Sequence, residues 1–327
     1  LTNIFRVQEL RSRILYTVLA ILIYRIGSHI PTPGIDPTAL LGFLSSAQGG
    51  GGLLTIMDLF SGGALFRFSI LALGIMPYIS ASIIMQLLGV VIPALERMQK
   101  EGESGRKKIN QYVRYLTLVL CIIQSAAMAS WIQSINEGAM IYMNPGLGFV
   151  LIVVATATAG TMFLMWLGDQ ITERGLGNGI SVIIFAGIVA RIPAGVYDMF
   201  QKRDSEYLNS LVIVLFFIIF AIVIFCVVYE ESGQRRIPVQ YAKRVVGRKV
   251  FGAQSTHIPF KINPSGVIPI IFASALMAIP AQIASLTRGI RWRWLDSLLG
   301  FFSYGSWAYI ILYCLLVILR CSLIQTI

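Results

Sequence analysis

Eight long apolar stretches separated by short polar segments constrain the fold of this chain more than any other feature. Most approach the ~20 residues that a helix rising about 1.5 Å per residue needs to cross the hydrocarbon core of a bilayer. Charged residues make up 13% of the chain and apolar residues 56%, which favours a polytopic membrane protein over a soluble helical one. The stretches are Ile14–Ile30, Ile70–Ile92, Tyr115–Ile135, Phe149–Leu167, Ile180–Val196, Leu211–Tyr229, Val267–Leu286 and Leu298–Leu319.

Basic residues alternate between the connecting loops. Gly27–Phe66 and Trp131–Gly168 contain no Lys or Arg, whereas the loops after the second and sixth stretches are rich in both. Because Lys and Arg in short loops resist translocation, the N-terminus is predicted to be cytoplasmic. The net charge of +11 comes mainly from these loops and suggests anionic lipid or an anionic partner. We expect no cleavable signal peptide.

The residue inventory gives no support for an enzyme, a cofactor or a metal site. The two histidines, His29 and His257, have no sequence neighbours that would build a catalytic triad or a metal cluster. The cysteines are spaced for neither a metal site nor a disulfide framework. The glycines of Arg174–Gly179 match neither a dinucleotide nor a P-loop pattern, so a tight turn between helices is the better interpretation.

Two features break the simple pattern of spans. The apolar octet Leu53–Phe60 lies between glycine-rich segments, and it is either a re-entrant half-helix that stoppers a pore or an ordinary surface helix. Pro77 in the second stretch, and Pro269 and Pro280 in the seventh, interrupt helices. Such breaks often line cavities in membrane proteins, although proline is also common in membrane helices.

Seven motifs stand out along the chain, and several of them are long and not explained by hydrophobicity: Ala72–Ser82, Glu101–Arg106, Gly160–Gly168, Gln170–Gly175, Gly177–Ser181, Ala253–His257 and Gly266–Pro269. They resemble the SecY/Sec61-alpha family, whose members form the centre of a protein-conducting channel. They occur in family order and extend to about Leu319. The resemblance implies an all-α, SecY-type bundle of inverted halves around an hourglass pore. Residues 1–200 would form spans one to five and residues 201–327 spans six to eight, with spans nine and ten missing.

The resemblance also implies positions for the parts of a pore. A plug within residues 53–63 would comprise Leu53, Leu54, Thr55, Ile56, Met57, Asp58, Leu59 and Phe60. A constriction ring would comprise Ile75, Ile79, Ile180, Ile184 and Ile271. Members four residues apart share one helix face, and branched apolar side chains at a narrow waist exclude ions by dewetting. A lateral gate between spans two and seven would include Ile83, Gln86, Leu87, Ile270, Ser274 and Met277.

The basic loop 230–265 between spans six and seven is predicted to project into the cytoplasm with a turn near Gly247. Its charge is explained either by orientation alone or by docking, and the resemblance implies docking to the ribosome or to the SecA ATPase. The docking residues would be Arg235, Arg236, Lys243, Arg244, Arg248 and Lys249.

The function implied by the resemblance is a translocase channel subunit, not an enzyme. It would conduct unfolded preproteins and release transmembrane segments sideways into lipid, powered by the ribosome or SecA. Expected partners are SecE, SecG, SecA, the ribosome with its rRNA, signal sequences, preproteins and lipids. The expected location is the bacterial inner membrane, with a thylakoid left open. The alternatives are a secondary transporter with broken helices around a midplane site and a scaffold without a pore.

The two ends of the chain depart from the family pattern. Arg320 interrupts the eighth apolar stretch, and a charge at membrane depth costs at least ~2.5 kcal/mol on insertion scales. We therefore expect a shifted reading frame or a truncation behind Arg320–Ile327, and an incomplete N-terminus because the first residue is Leu1.

Overall fold

A computed structural model describes twelve regular elements in this chain. The described residues are 8–36, 38, 40, 58, 61–135, 146–201, 210–240, 244–246, 249–251, 255–261, 273, 276–277 and 306–325. Helices dominate, which confirms the predicted all-α class. The helices are α1 (Gln8–Gly27), α2 (Met76–Val91), α3 (Pro93–Lys100), α4 (Glu103–Ile135), α5 (Leu147–Arg174), α6 (Gly179–Gln201), α7 (Ser210–Ser232) and α8 (Trp307–Gln325). The strands are β1 (Gln234–Gln240), β2 (Arg244–Val246), β3 (Lys249–Phe251) and β4 (Ser255–Lys261).

The predicted spans are reproduced unevenly. By length and composition α4, α5, α6 and α7 can each cross a membrane, and α2 with α3 makes a fifth if the bent pair counts as one span. Helix α1 begins at Gln8 rather than Ile14 and so includes Glu9 and Arg11, which lowers its apolar character. In α8 the apolar part is the shorter segment Trp307–Leu319. Most of the seventh stretch, including Pro269 and Pro280, lies outside the described residues.

Proline sets both ends of the second span. The second apolar stretch begins at Ile70, but residues 61–75 form successive turns and the helix α2 begins only at Met76. Pro77 occupies the first turn of the helix, where its missing N–H leaves no donor unpaired. At the other end Ile92 is extended (φ −100°, ψ 112°), as expected for a residue before a proline. Consequently α2 and α3 meet at a bend of 100°.

The chain divides into two compact units. The first comprises Leu1–Val196 with Phe272–Tyr313. Its described helices pack mainly as the pairs α4–α5 and α2–α4, with smaller contacts in the pairs α2–α3, α3–α4 and α1–α5. An ion pair joins Arg114 of α4 to Asp169 of α5 at 2.6 Å. One apolar cluster joins α2 to α4 through Ala81, Met85 and Val113. A second cluster joins α4, α5 and the loop after α1, through Ile35, Leu40, Phe68, Ala129, Ile132, Phe149 and Val153.

The connection between α5 and α6 is the tight turn predicted from its glycines. The Thr172 hydroxyl donates to the Gly168 carbonyl (2.9 Å) and accepts the Gly179 N–H (2.8 Å), which satisfies a free donor at the start of α6. The Leu176 N–H donates to the Thr17 hydroxyl of α1 at 3.2 Å. This turn is therefore fixed to its own helices and to α1.

The second unit comprises Tyr197–Ile271 and Cys314–Ile327. In α7 every residue except Ile213 is exposed. Its uncharged apolar part, Leu211–Tyr229, suits contact with lipid. The basic loop after α7 forms two antiparallel ladders, β1 with β4 and β2 with β3. Val246 pairs with Lys249 at one end of the shorter ladder. Residues 247 and 248, where the sequence predicted a turn, lie outside the described residues.

Candidate functional site

The segment after α1 folds back onto two helices at one polar cluster. We call this cluster the loop anchor and define it by the residues whose contacts hold it together. From the loop come a carboxylate, a serine and a glycine, and from α1 and α6 come the groups that meet them. The residues of the loop anchor are Asp58, Ser61, Gly62, Tyr24, Arg25, Gly187 and Arg191.

Asp58 organises the turn at the end of the apolar octet. Its backbone carbonyl accepts the Gly63 N–H at 3.0 Å and the Ser61 hydroxyl at 3.1 Å. Its carboxylate oxygen Oδ1 accepts the Phe66 N–H at 2.9 Å. The residue is 0% exposed, so a carboxylate is held away from water in the loop between the first two spans.

The second carboxylate oxygen of Asp58 faces a cation on α6. Arg191 Nη1 lies 2.5 Å from Asp58 Oδ2, and the Arg191 side chain is 33% exposed. The same guanidinium lies over the Phe66 ring, 5.6 Å from its centroid, a distance typical of a cation–π contact. Burial raises the pKa of the Asp58 carboxyl above its usual value, while the Phe66 N–H and Arg191 oppose that rise. Burying the ionised Asp58 carboxylate therefore costs solvation free energy, and the attraction to the Arg191 guanidinium offsets this cost.

Helix α1 and two glycines complete the loop anchor. The buried Tyr24 hydroxyl donates to the Ser61 carbonyl at 3.0 Å, and Arg25 Nη1 donates to the Gly62 carbonyl at 3.3 Å. Gly62 has φ of +68°, and a Cβ on it would lie 3.0 Å from Gly187 Cα and from the Tyr24 hydroxyl. Glycine is needed here for both the left-handed backbone and the close approach to α6.

Two of the five predicted ring positions form a pair across the start of α2. Ile75 precedes the helix, and the Ile79 N–H donates to the Ile75 carbonyl at 3.1 Å. Both are buried, with 3% and 8% of their surface exposed. The two residues are therefore one helical turn apart, as their spacing predicts.

The other ring positions are distributed differently. Ile180 and Ile184 lie in the first two turns of α6. Ile184 is buried, whereas Ile180 is partly exposed and packs on α5, since its Cγ1 lies 3.1 Å from where a Cβ on Gly168 would be. Ile271 lies outside the described residues. The ring as a constriction thus remains a prediction.

The predicted lateral gate is described mainly on one side. On α2, Ile83 is buried and its neighbours Gln86 and Leu87 are exposed. On the seventh stretch Met277 is buried, while Ile270 and Ser274 lie outside the described residues. Of the predicted plug, Asp58 alone falls within the described residues.

The predicted docking residues lie on or between the strands after α7. Arg235 and Arg236 are exposed on β1 and pair with Phe260 and Pro259 of β4. Neighbours on a strand point to opposite faces, so basic charge is present on both sides of this ladder. Arg244 begins β2 and Lys249 begins β3. Lys243 and Arg248 lie outside the described residues.

The partners of Asp58 were not predicted from the sequence. Tyr24, Arg25 and Arg191 were not among the candidate residues, although two of them place a charge within a predicted apolar stretch. A charge in a membrane span is itself a sign of a functional contact. Asp58 is the only charged residue in the octet Leu53–Phe60, so complementary charge could have suggested the pair.

Comparison with known proteins gives consistent results. A family model described as SecY matches residues 69–327. The match extends through Ile327, which contradicts the expectation that the tail from Arg320 departs from the family; α8 also continues to Gln325. The protein translocase subunit SecY of Escherichia coli strain K12 is 50% identical over 314 residues, which is 96% of this chain and 70% of that protein.

Two solved structures share the fold. One concerns the plug domain of SecY, said there to stabilise the closed state of the translocation channel and to maintain a membrane seal. Its TM-score is 0.59 at 20% identity, over 85% of this chain and 58% of that one. The other is Sec61 in a canine ribosome–channel complex from the endoplasmic reticulum. Its TM-score is 0.60 at 18% identity, and the match covers 85% of this chain and 59% of that one. This chain therefore spans less than two thirds of those channel chains.

The family model covers most of this chain, and the chain covers more than two thirds of a half-identical relative. The chain belongs to the SecY family.

Proposed function

We propose that this chain is the channel subunit of a protein translocase, which conducts unfolded preproteins and releases apolar segments sideways into lipid. The observation that carries the proposal is the loop anchor. The apolar octet 53–60, too short to span a membrane, contains a buried carboxylate, Asp58, which pairs with Arg191 of α6. Just after the octet, the Ser61 carbonyl accepts a hydrogen bond from Tyr24 of α1. A surface helix in water would need no such attachment, whereas a segment at membrane depth must be surrounded by protein.

The remaining parts of the channel are proposed on the same basis. Residues 53–60 act as the plug, and the five isoleucines form the waist that excludes ions by dewetting. The exposed face of α2 around Leu87 is the α2 side of the lateral gate. Along the sequence, the boundary between the two halves falls near residue 200. A secondary transporter would place ion-coordinating groups at its midplane, and the buried isoleucines at positions 75, 79 and 184 do not support that alternative.

The strands after α7 are the proposed docking surface for the ribosome and for SecA. Basic side chains on both faces of the β1–β4 ladder can neutralise RNA phosphates or acidic protein groups. By the same resemblance SecE and SecG are the partner subunits. The alternation of loop charge supports a cytoplasmic N-terminus, and the bacterial relative supports location in the inner membrane.

A reconstituted transport assay tests the proposal. Proteoliposomes holding this chain with SecE and SecG subunits are given SecA, ATP and a preprotein, and the protease-protected fraction is measured. We expect protection that depends on ATP and on an intact signal sequence. A protected fraction no greater than in liposomes without the chain would contradict the proposed function.

A further inference from the structure

The most buried charge in the loop anchor depends on one residue of α6. Asp58 is fully buried, and within the described part of the chain its Oδ2 atom has no aligned hydrogen bond. Arg191, at 2.5 Å, is the cation against that oxygen, while Arg67 contributes weaker positive charge to the same carboxyl. Neutralising this oxygen therefore falls mainly to a side chain that lies far away in the sequence.

We propose that Arg191 is a positioning residue that keeps the loop anchor closed on α6 by neutralising the buried Asp58 carboxylate. This role rests on the proposed function, because the anchored segment would be the end of the plug of a channel. In the resting channel the ion pair would hold that end in place. A translocating chain would have to separate Asp58 from Arg191 before the segment could move.

The geometry predicts unequal effects for the two partners. If Arg191 loses its charge, Asp58 remains as an unpaired buried carboxylate, which is the costly way to break an ion pair. If Asp58 becomes asparagine, the Phe66 N–H keeps an acceptor, and Arg191, already one third exposed, can turn towards water. Removing both charges should therefore repair most of the damage done by removing Arg191 alone.

Thiol accessibility measures the position of the loop directly. Ser61 is buried, so a cysteine there should be protected while the anchor is closed. The four native cysteines are first replaced by alanine, and Ser61→Cys is added. Right-side-out membrane vesicles are then treated with a membrane-impermeant maleimide, and the labelling rate is compared among Arg191→Gln, Arg191→Lys, Asp58→Asn and the Asp58→Asn/Arg191→Gln double variant.

We expect Arg191→Gln to raise the labelling rate by at least about 100-fold, because the carboxylate is left without its cation. Asp58→Asn, Arg191→Lys and the double variant should stay within about tenfold of the parent, since none leaves an unpaired buried charge. The matched control is Lys100→Gln, which removes the exposed Glu96–Lys100 pair and should change nothing, because exposed ion pairs contribute little.

Two outcomes would overturn the proposal: unchanged labelling in Arg191→Gln, or a double variant labelled as fast as Arg191→Gln. If Arg191→Gln fails to accumulate in membranes, normal accumulation of the double variant would show that the two charges are coupled. Failure of both variants to accumulate would reject the proposal. The assay uses resting vesicles without a preprotein. A positive result here with failed transport would reject the proposed function and leave the positioning role intact.

Discussion

Replacing Gly160 by valine is expected to reduce the stability of the chain severely. A Cβ at this position of α5 would overlap the Ile70 carbonyl oxygen, with Leu71 Cδ2 at 3.2 Å. Overpacking costs about 1–3 kcal/mol when side chains can adjust, and here the obstacle is backbone. The displaced segment leads directly into α2 and the proposed ring residue Ile75, so the waist should be disturbed as well.

The thermal midpoint of the purified chain in detergent, followed by size-exclusion chromatography after heating, measures this effect. Gly148→Val is the matched control, because Gly148 lies in the same helix and, among the described residues beyond its own helix backbone, no atom is within 4 Å of an added Cβ. We expect Gly160→Val to lose its monodisperse peak at a temperature at least several degrees below that of Gly148→Val. Equal midpoints for the two variants would show that α5 does not approach Ile70 as closely as described.

Reversing two charges beside the β2–β3 connection is expected to weaken ribosome binding strongly. Lys249 begins β3 opposite Val246, and Arg248 precedes it in the connection. Charge-assisted hydrogen bonds contribute about 1.5–3 kcal/mol each, so Arg248→Glu/Lys249→Glu should lower affinity by at least about tenfold. It should also reduce the slope of log affinity against log salt by roughly 1.4–1.8, the value for two phosphate contacts.

Sedimentation of detergent-solubilised chain with ribosomes over a series of salt concentrations measures both quantities. Lys107→Glu/Lys108→Glu makes the same change in net charge on exposed positions of α4, and it should bind nearly as the parent does. If both double variants lose affinity equally, the attraction is non-specific and the docking assignment fails. Unchanged binding of Arg248→Glu/Lys249→Glu at low and moderate salt would reject the proposed contact outright.

The apolar stretches and the alternating loop charge were enough to predict a helical membrane protein, because the length of a spanning helix and the retention of Lys and Arg are properties of short segments. Helix boundaries were harder to predict. Polar residues at Gln8 and Glu9 continue α1 at no cost outside the hydrocarbon, and the turns at 61–75 depend on contacts with α1, α5 and α6.

The contacts of the loop anchor could not be predicted from local sequence patterns. Asp58 and Arg191 were both visible as charges in apolar surroundings, yet their pairing depends on how α1, α6 and the loop pack. The Gly62–Gly187 approach likewise involves two residues that are unremarkable by themselves. By contrast, the turn between α5 and α6 was predictable, because the glycines and Thr172 that build it are close in sequence.

The measurement that tests the central claim most directly is photo-crosslinking at the proposed waist. A photo-reactive side chain is placed at Ile79, a secretory chain is stalled during transport in membranes, and adducts are measured with intact and defective signal sequences. Leu215 on the exposed surface of α7 serves as the control position. We predict an adduct at Ile79 that requires an intact signal sequence and is absent at Leu215. No adduct at Ile79 in the inserted chain, or equal yields at the two positions, would contradict a polypeptide-conducting pore lined by this residue.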